Sequence, residues 1–160
     1  MVPCRFGAEP SRVPAVTEFD AYGVRRFPAG TRTAGDAARA IGCELGAIVK
    51  SLVFVVEGVG PVLALTSGAN RVDTAKLAAH FAATSARRAT PDEARAATGF
   101  AIGGTPPFGH PRRLPAVCDP ALLRYDTVWA AAGTPDTVFP ISPAELLAAS
   151  SATTVDVTGG

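Results

Sequence analysis

Apolar and polar positions along the chain follow two kinds of pattern. Residues 48–56 (IVKSLVFVV) form a nearly unbroken β-branched and apolar run, which predicts a central strand. Gly58-Val59-Gly60-Pro61 turns the chain, and residues 62–66 return as a second strand, giving a hairpin. Elsewhere, caps precede stretches of helical spacing. Thr33 caps a helix over 33–41 (TAGDAARAI), with Asp36 in its first turn and Gly42 past its end. Asp73 caps a second helix over 74–82, with Leu77 and Phe81 on one face. Thr90 caps a third, with Pro91 at its first position, ending before Gly99. Ser142-Pro143-Ala144-Glu145 reads as a capping box that opens a fourth helix running to about residue 149. Residues 114–118, 127–131 and 137–141 are short strand candidates. Hairpins mixed with scattered helices predict an α+β fold with a mixed sheet. Residues 1–19, with Pro3, Pro10 and Pro14, read as an N-terminal arm, and 20–160 as one domain.

Composition narrows the function classes. The chain has 160 residues, the length of a single domain, and 48% of them are apolar. Mean hydropathy is +0.23, which excludes intrinsic disorder. The net charge of +1 excludes a strongly basic nucleic-acid binder but leaves room for a local basic patch. Cys4, Cys43 and Cys118 are far apart, with no CxxC pair and no Cys/His cluster, against both a disulfide framework and structural zinc. Free thiols in a reducing cytoplasm fit this usage. No apolar run approaches the ~20 residues that a bilayer requires. Nor does a basic and apolar leader follow Met1. The expectation is a soluble, cytoplasmic protein without a membrane partner.

Candidate chemistry begins with Lys50. With a period of two, Ile48, Lys50, Leu52, Phe54 and Val56 share one strand face. A buried ammonium is expensive without a partner. Lys50 therefore either reaches solvent at the strand end or is aimed into a cavity, where it would stabilise negative charge or hold a phosphate. Only Lys50 and Lys76 are lysines, against 13 arginines, so a compact ammonium at this position invites a functional reading. The second candidate is the loop Gly103-Gly104-Thr105-Pro106-Pro107-Phe108-Gly109. Its glycines allow close backbone approach and its prolines stiffen it. It reads either as a ligand-facing loop or as an ordinary connection. No phosphate loop, dinucleotide fingerprint, GxSxG or HExxH is present. His80 and His110 lack metal-ligand partners at useful spacing and read as structural or solvated. Arg71, at a helix start, and the pair Arg112-Arg113 are candidate phosphate contacts.

In order, TAGDAARAIG (33–42), AIVKSLVF (47–54), SGANRVDTAKLAA (67–79), ATGFAIGGTPPFG (97–109) and VWAAAGTPDTVFPISPAEL (128–146) resemble the YbaK/ProX family of aminoacyl-tRNA deacylases. That family also occurs as the editing domain inserted in bacterial prolyl-tRNA synthetases. The resemblance covers residues 20–150 and implies a partly barrel-like mixed sheet wrapped by helices. It implies hydrolysis in trans of the ester joining a wrong amino acid to tRNA, typically tRNA(Pro), with no metal and no organic cofactor. A prolyl-tRNA synthetase is an implied partner. By family pattern Lys50 is the functional lysine, and Gly103, Gly104, Thr105 and Pro107 belong to a GxxxP loop that shapes the amino-acid pocket. Amides around Gly103–Thr105 would bind the oxyanion. Ala131 and Gly133 lie where members that remove Cys tend to carry polar residues, so a small apolar amino acid such as Ala or 2-aminobutyrate is expected, with Cys still open. Phe27 would form another wall, and Arg71, Arg112 and Arg113 would contact tRNA phosphates. Two competing readings remain: a non-catalytic module that binds tRNA or a synthetase, and a hydrolase of small esters or thioesters.

Overall fold

The computed structural model describes residues 19–27 and 33–159. The arm up to residue 18 lies outside them, whereas Phe19 is fully buried, stacked on Phe139 at 4.7 Å between ring centroids.

The 48–56 run forms β2 (Val49–Val56), and it pairs antiparallel with β3 (Gly60–Ser67) along its whole length, Lys50 opposite Thr66 and Phe54 opposite Val62. This hairpin is the centre of a five-stranded sheet. On one side of β2 lies the antiparallel edge strand β4 (Ala86–Arg88). On the other side β3 runs parallel to β5 (Ala116–Cys118), and β5 parallel to β8 (Thr153–Thr154). A second, antiparallel sheet has β7 (Thr137–Ile141) between β1 (Arg25–Arg26) and β6 (Val128–Ala131). A parallel bridge, Ile48 to Trp129, joins the two sheets. The fold is thus α+β with a mixed sheet, as the pattern predicts, but the sheets are not closed into a barrel.

The caps explain where the helices start. Thr33 Oγ1 accepts from Asp36 N–H and opens α1 (Ala34–Ile41); Gly42, in the left-handed conformation, ends it. Asp73 caps α2 (Thr74–His80), shorter than the sequence predicts because the chain leaves the helix at Phe81. Thr90 and Glu93 form a reciprocal capping box on α3 (Pro91–Thr98). At α4 (Pro143–Ser150) the box is only half formed: Ser142 Oγ takes Glu145 N–H, while the Glu145 carboxylate meets the Ser142 hydroxyl instead of a backbone amide.

The alternation of β2 divides the core. Val49 and Val53 pack towards the second sheet, α3 and α4, with Phe139, Ala130, Ala94 and Leu146. Phe54 and Val56 face the other way, towards Leu77 of α2 and Val157. Lys50 belongs to this second face, at the end where the apolar cover stops and α1 packs through Ala37 and Ala38 on Ile48.

Candidate functional site

At that uncovered end lies a cavity of about 530 Å³, within the ~300–1,000 Å³ usual for small-molecule sites. Lys50, Leu52 and Phe54 line it from β2, Arg88 from β4, and Arg71 from the turn before α2. Thr33, Ala34 and Ala37 contribute the start of α1, Trp129 and Ala131 the edge of β6, and Ile102, Gly103 and Thr105 the glycine loop. Among the described residues, three of those lining it are cations and none is a carboxylate.

Lys50 does not simply escape to solvent. It is half-buried, and its Nζ donates to Asn70 O at 2.5 Å. That carbonyl is itself held in place. Asn70 Nδ2 donates to Asp119 Oδ2 at 2.9 Å, and Asp119, 3% exposed, also accepts Ser67 N–H at 3.1 Å and Ala121 N–H at 2.9 Å. A buried carboxylate thus anchors the turn whose carbonyl aims the ammonium. Burial pushes the Lys50 pKa below the ordinary lysine value, and the nearby Arg71 and Arg88 guanidinium groups push it the same way, with Asp119 opposing. The group is primed to welcome an anion.

Arg71 and Arg88 have no carboxylate partner among the described residues. Arg88 lies over the Phe54 ring, its guanidinium carbon 5.9 Å from the centroid. Its neighbour Arg87, on the opposite strand face, is clamped by Glu93 through two 2.8 Å hydrogen bonds. On the other wall, Trp129 is half-buried with the Arg25 guanidinium 4.8 Å from its ring centroid.

The glycine loop meets the cavity with only part of its length. Gly103 adopts φ +92°, a conformation that costs other residues, and with Thr105 it lines the cavity. Gly104 is buried against the β6–β7 turn: a Cβ there would stand 2.8 Å from Thr134 Cα and 3.0 Å from Gly133 O. Gly104 N–H is already bonded to Ala101 O at 3.0 Å. The Gly103 and Thr105 amides have no acceptor among the described residues. Gly104 and Gly133 therefore set how closely the loop approaches β6, and neither lines the cavity.

Other expected positions fall elsewhere. Phe27 extends β1, its N–H bonded to Asp136 O at 2.8 Å, and is not among the residues lining the cavity. Pro107 belongs to a second cavity, of about 340 Å³, on the far side of the loop, together with Phe108, His110 and Arg113. Arg113 donates to Ser151 Oγ at 2.9 Å. Arg112 is exposed and lines neither cavity. Of the alanines after Trp129, Ala130 and Ala132 are buried in the core and only Ala131 faces the cavity. Arg88 and the α1 start were not singled out from sequence. A dibasic pair on a strand puts one residue on each face, and that alternation was the available signal for Arg88.

Cys118 is fully buried and burial pushes its thiol up to about 12, so it is no nucleophile at neutral pH. Among the described residues no three His, Cys, Asp or Glu side chains gather as metal ligands, and no helix is long and apolar enough to cross a membrane.

The chain matches the aminoacyl-tRNA editing domain family over residues 28–149. It is 34% identical over 123 residues to YwhH of Bacillus subtilis, a protein without an assigned function, covering 77% of this chain and 78% of that one. It is 26% identical over 126 residues to EbsC of Enterococcus faecalis, provisionally named a Cys-tRNA(Pro)/Cys-tRNA(Cys) deacylase, covering 79% and 77%. A crystal structure provisionally described as a trans-editing enzyme for prolyl tRNA synthetase superposes with TM-score 0.83 at 46% identity, covering 94% of this chain and 100% of that one. The chain belongs to the aminoacyl-tRNA editing domain family.

Proposed function

We propose that this chain is a trans-acting deacylase that clears a wrongly attached small amino acid from tRNA, with tRNA(Pro) as the preferred tRNA. The observation that carries the reading is the anion-seeking cavity: Lys50, Arg71 and Arg88 beside the small apolar walls of Ala34, Ala37 and Ala131. The first group of residues suits the terminal nucleotide and the second a short side chain. The relatives' names support tRNA(Pro) as the carrier and a prolyl-tRNA synthetase as the system served.

The chemistry asks little of the protein. An aminoacyl ester is already activated, so positioning supplies much of the rate. Lys50 holds the terminal nucleoside or polarises the ester carbonyl. Water, which a hydroxyl of the substrate can help to orient, adds to that carbonyl, and the amides of Gly103 and Thr105 face the developing oxyanion. The bond to the ribose oxygen then breaks, that oxygen takes a proton, and free amino acid leaves. With water as nucleophile the proton balance closes with no covalent enzyme intermediate.

The test is deacylation of tRNA(Pro) charged with Ala, Cys, 2-aminobutyrate, Ser or Pro, using wild type and Lys50→Ala. The expected result is rapid loss of one or two mischarged species, slowed ~10²–10³-fold by the substitution. Rates at the spontaneous level for every species would overturn the reading and favour a binding module. Hydrolysis of simple aminoacyl esters as fast as of charged tRNA would favour a small-molecule hydrolase.

A further inference from the structure

Arg88 is a cation of the cavity that none of the chain's motifs singles out. Three observations bear on it. Its sequence neighbour Arg87 is neutralised by Glu93, whereas Arg88 lies over the face of Phe54 with no carboxylate partner among the described residues. It stands on β4, the outermost strand of its sheet, so a bound chain can run past it without displacing a neighbouring strand. It also pairs in register with Phe54, four residues along β2 from Lys50 and on the same face. Four residues of strand span ~13 Å. Leu52, between the two positions along β2, and Phe54, beside Arg88, form an apolar floor, so the interval is long enough for a nucleoside lying flat.

We infer that Arg88 binds the phosphodiester on the 5′ side of the terminal nucleoside while Lys50 faces the sugar and ester, which makes the site selective for the end of a single-stranded polynucleotide. The assignment rests on the deacylase reading for the orientation of the ligand. The phosphate contact itself does not depend on catalysis. A guanidinium suits the task because it can donate two parallel hydrogen bonds to a phosphate while its flat face stays on an aromatic ring. A lysine at the same place would lose both features.

Binding measured by calorimetry separates the two ideas. The probes are adenosine, which has no phosphate, and the uncharged trinucleotide CCA. Arg88→Ala is expected to weaken CCA about tenfold, the scale of one charge-assisted contact, and to leave adenosine within about twofold. The dependence of CCA affinity on salt should flatten by about 0.7 in log–log slope, one phosphate's share on a single strand. Arg88→Lys should restore the salt slope but only part of the affinity. Arg87→Ala, which breaks the Glu93 pair on the other face, should change neither. An equal loss on both probes, or no loss on CCA, overturns the assignment. If CCA behaves as expected while no mischarged tRNA is hydrolysed, the deacylase reading fails and the phosphate contact stands.

Discussion

The two cavities on either side of the Gly103–Gly109 loop look alike in sequence. Each has a glycine or proline edge and an arginine nearby, and in the second a histidine as well. They differ in whether the cations are already engaged. Around the first, Arg71 and Arg88 have no carboxylate partner among the described residues, and Lys50 is held by a neutral carbonyl. In the second, Arg113 is tied to Ser151 Oγ, and His110 Nε2 lies 2.8 Å from Pro106 O. A basic residue marks a binding site when the fold withholds its partner, and that is a property of topology rather than of local sequence. Arg87 and Arg88 show the same contrast within two residues.

The comparison can be tested from its anchor outward. The largest effect after Lys50→Ala is expected for Asp119→Ala. This removes three hydrogen bonds to a buried carboxylate and should cost at least ~3 kcal/mol, read as a fall in denaturation midpoint. Asn70→Ala removes one of those bonds and should cost ~1–2 kcal/mol. If the turn aims Lys50, the rate should fall further than the stability loss explains. Equal rates for Asn70→Ala and wild type would show that the ammonium needs no anchor.

A smaller effect is the titration of Lys50. Its protonated form is disfavoured first by burial and then by Arg71 and Arg88, so its charge is lost at a lower pH than in an ordinary lysine. Removing a like charge must move the titration upward, and burial must keep it below the ordinary value. Because Lys50 and Lys76 are the only lysines, lysine-selective labelling gives two NMR signals, and Arg88→Ala should raise the midpoint of one. A Lys50 midpoint unmoved by both Arg71→Ala and Arg88→Ala would break the picture of a cationic cluster. The smallest effect is expected in the second cavity's neighbourhood. The double substitution Arg112→Ala, Arg113→Ala should change deacylation less than about twofold, with stability within ~0.5 kcal/mol. A tenfold loss would move the tRNA path to that side of the loop.

Much of the frame was legible because its signals are local. Thr33, Asp73, Thr90 and Ser142 each announce a helix one residue ahead, and the 48–56 run can scarcely be anything but a central strand. Strands β1, β4 and β8 were not legible. They are two or three residues long, too short to show a period, and they exist because a distant partner supplies the hydrogen bonds. Missing β4 meant missing Arg88. In the site, Lys50 stood out as a charge in an apolar row. Gly104 and Gly133 were read as pocket residues because a glycine that touches ligand and one that touches backbone look the same in sequence. Phe27 and Pro107 were drawn to the site by family pattern, and the fold places neither at the cavity with Lys50.

A cavity whose described lining holds three cations and no carboxylate also acts on the protonation state of what enters it. The α-amino group of an amino acid ester loses its proton near neutrality, in the region of ~7–8. The ammonium form meets like charges in this cavity and the free amine does not. Turnover should therefore climb with pH through the ligand's own titration. The ascending limb of the rate profile would then shift with the amine of the bound amino acid, and swapping that amino acid for its α-hydroxy analogue would flatten it.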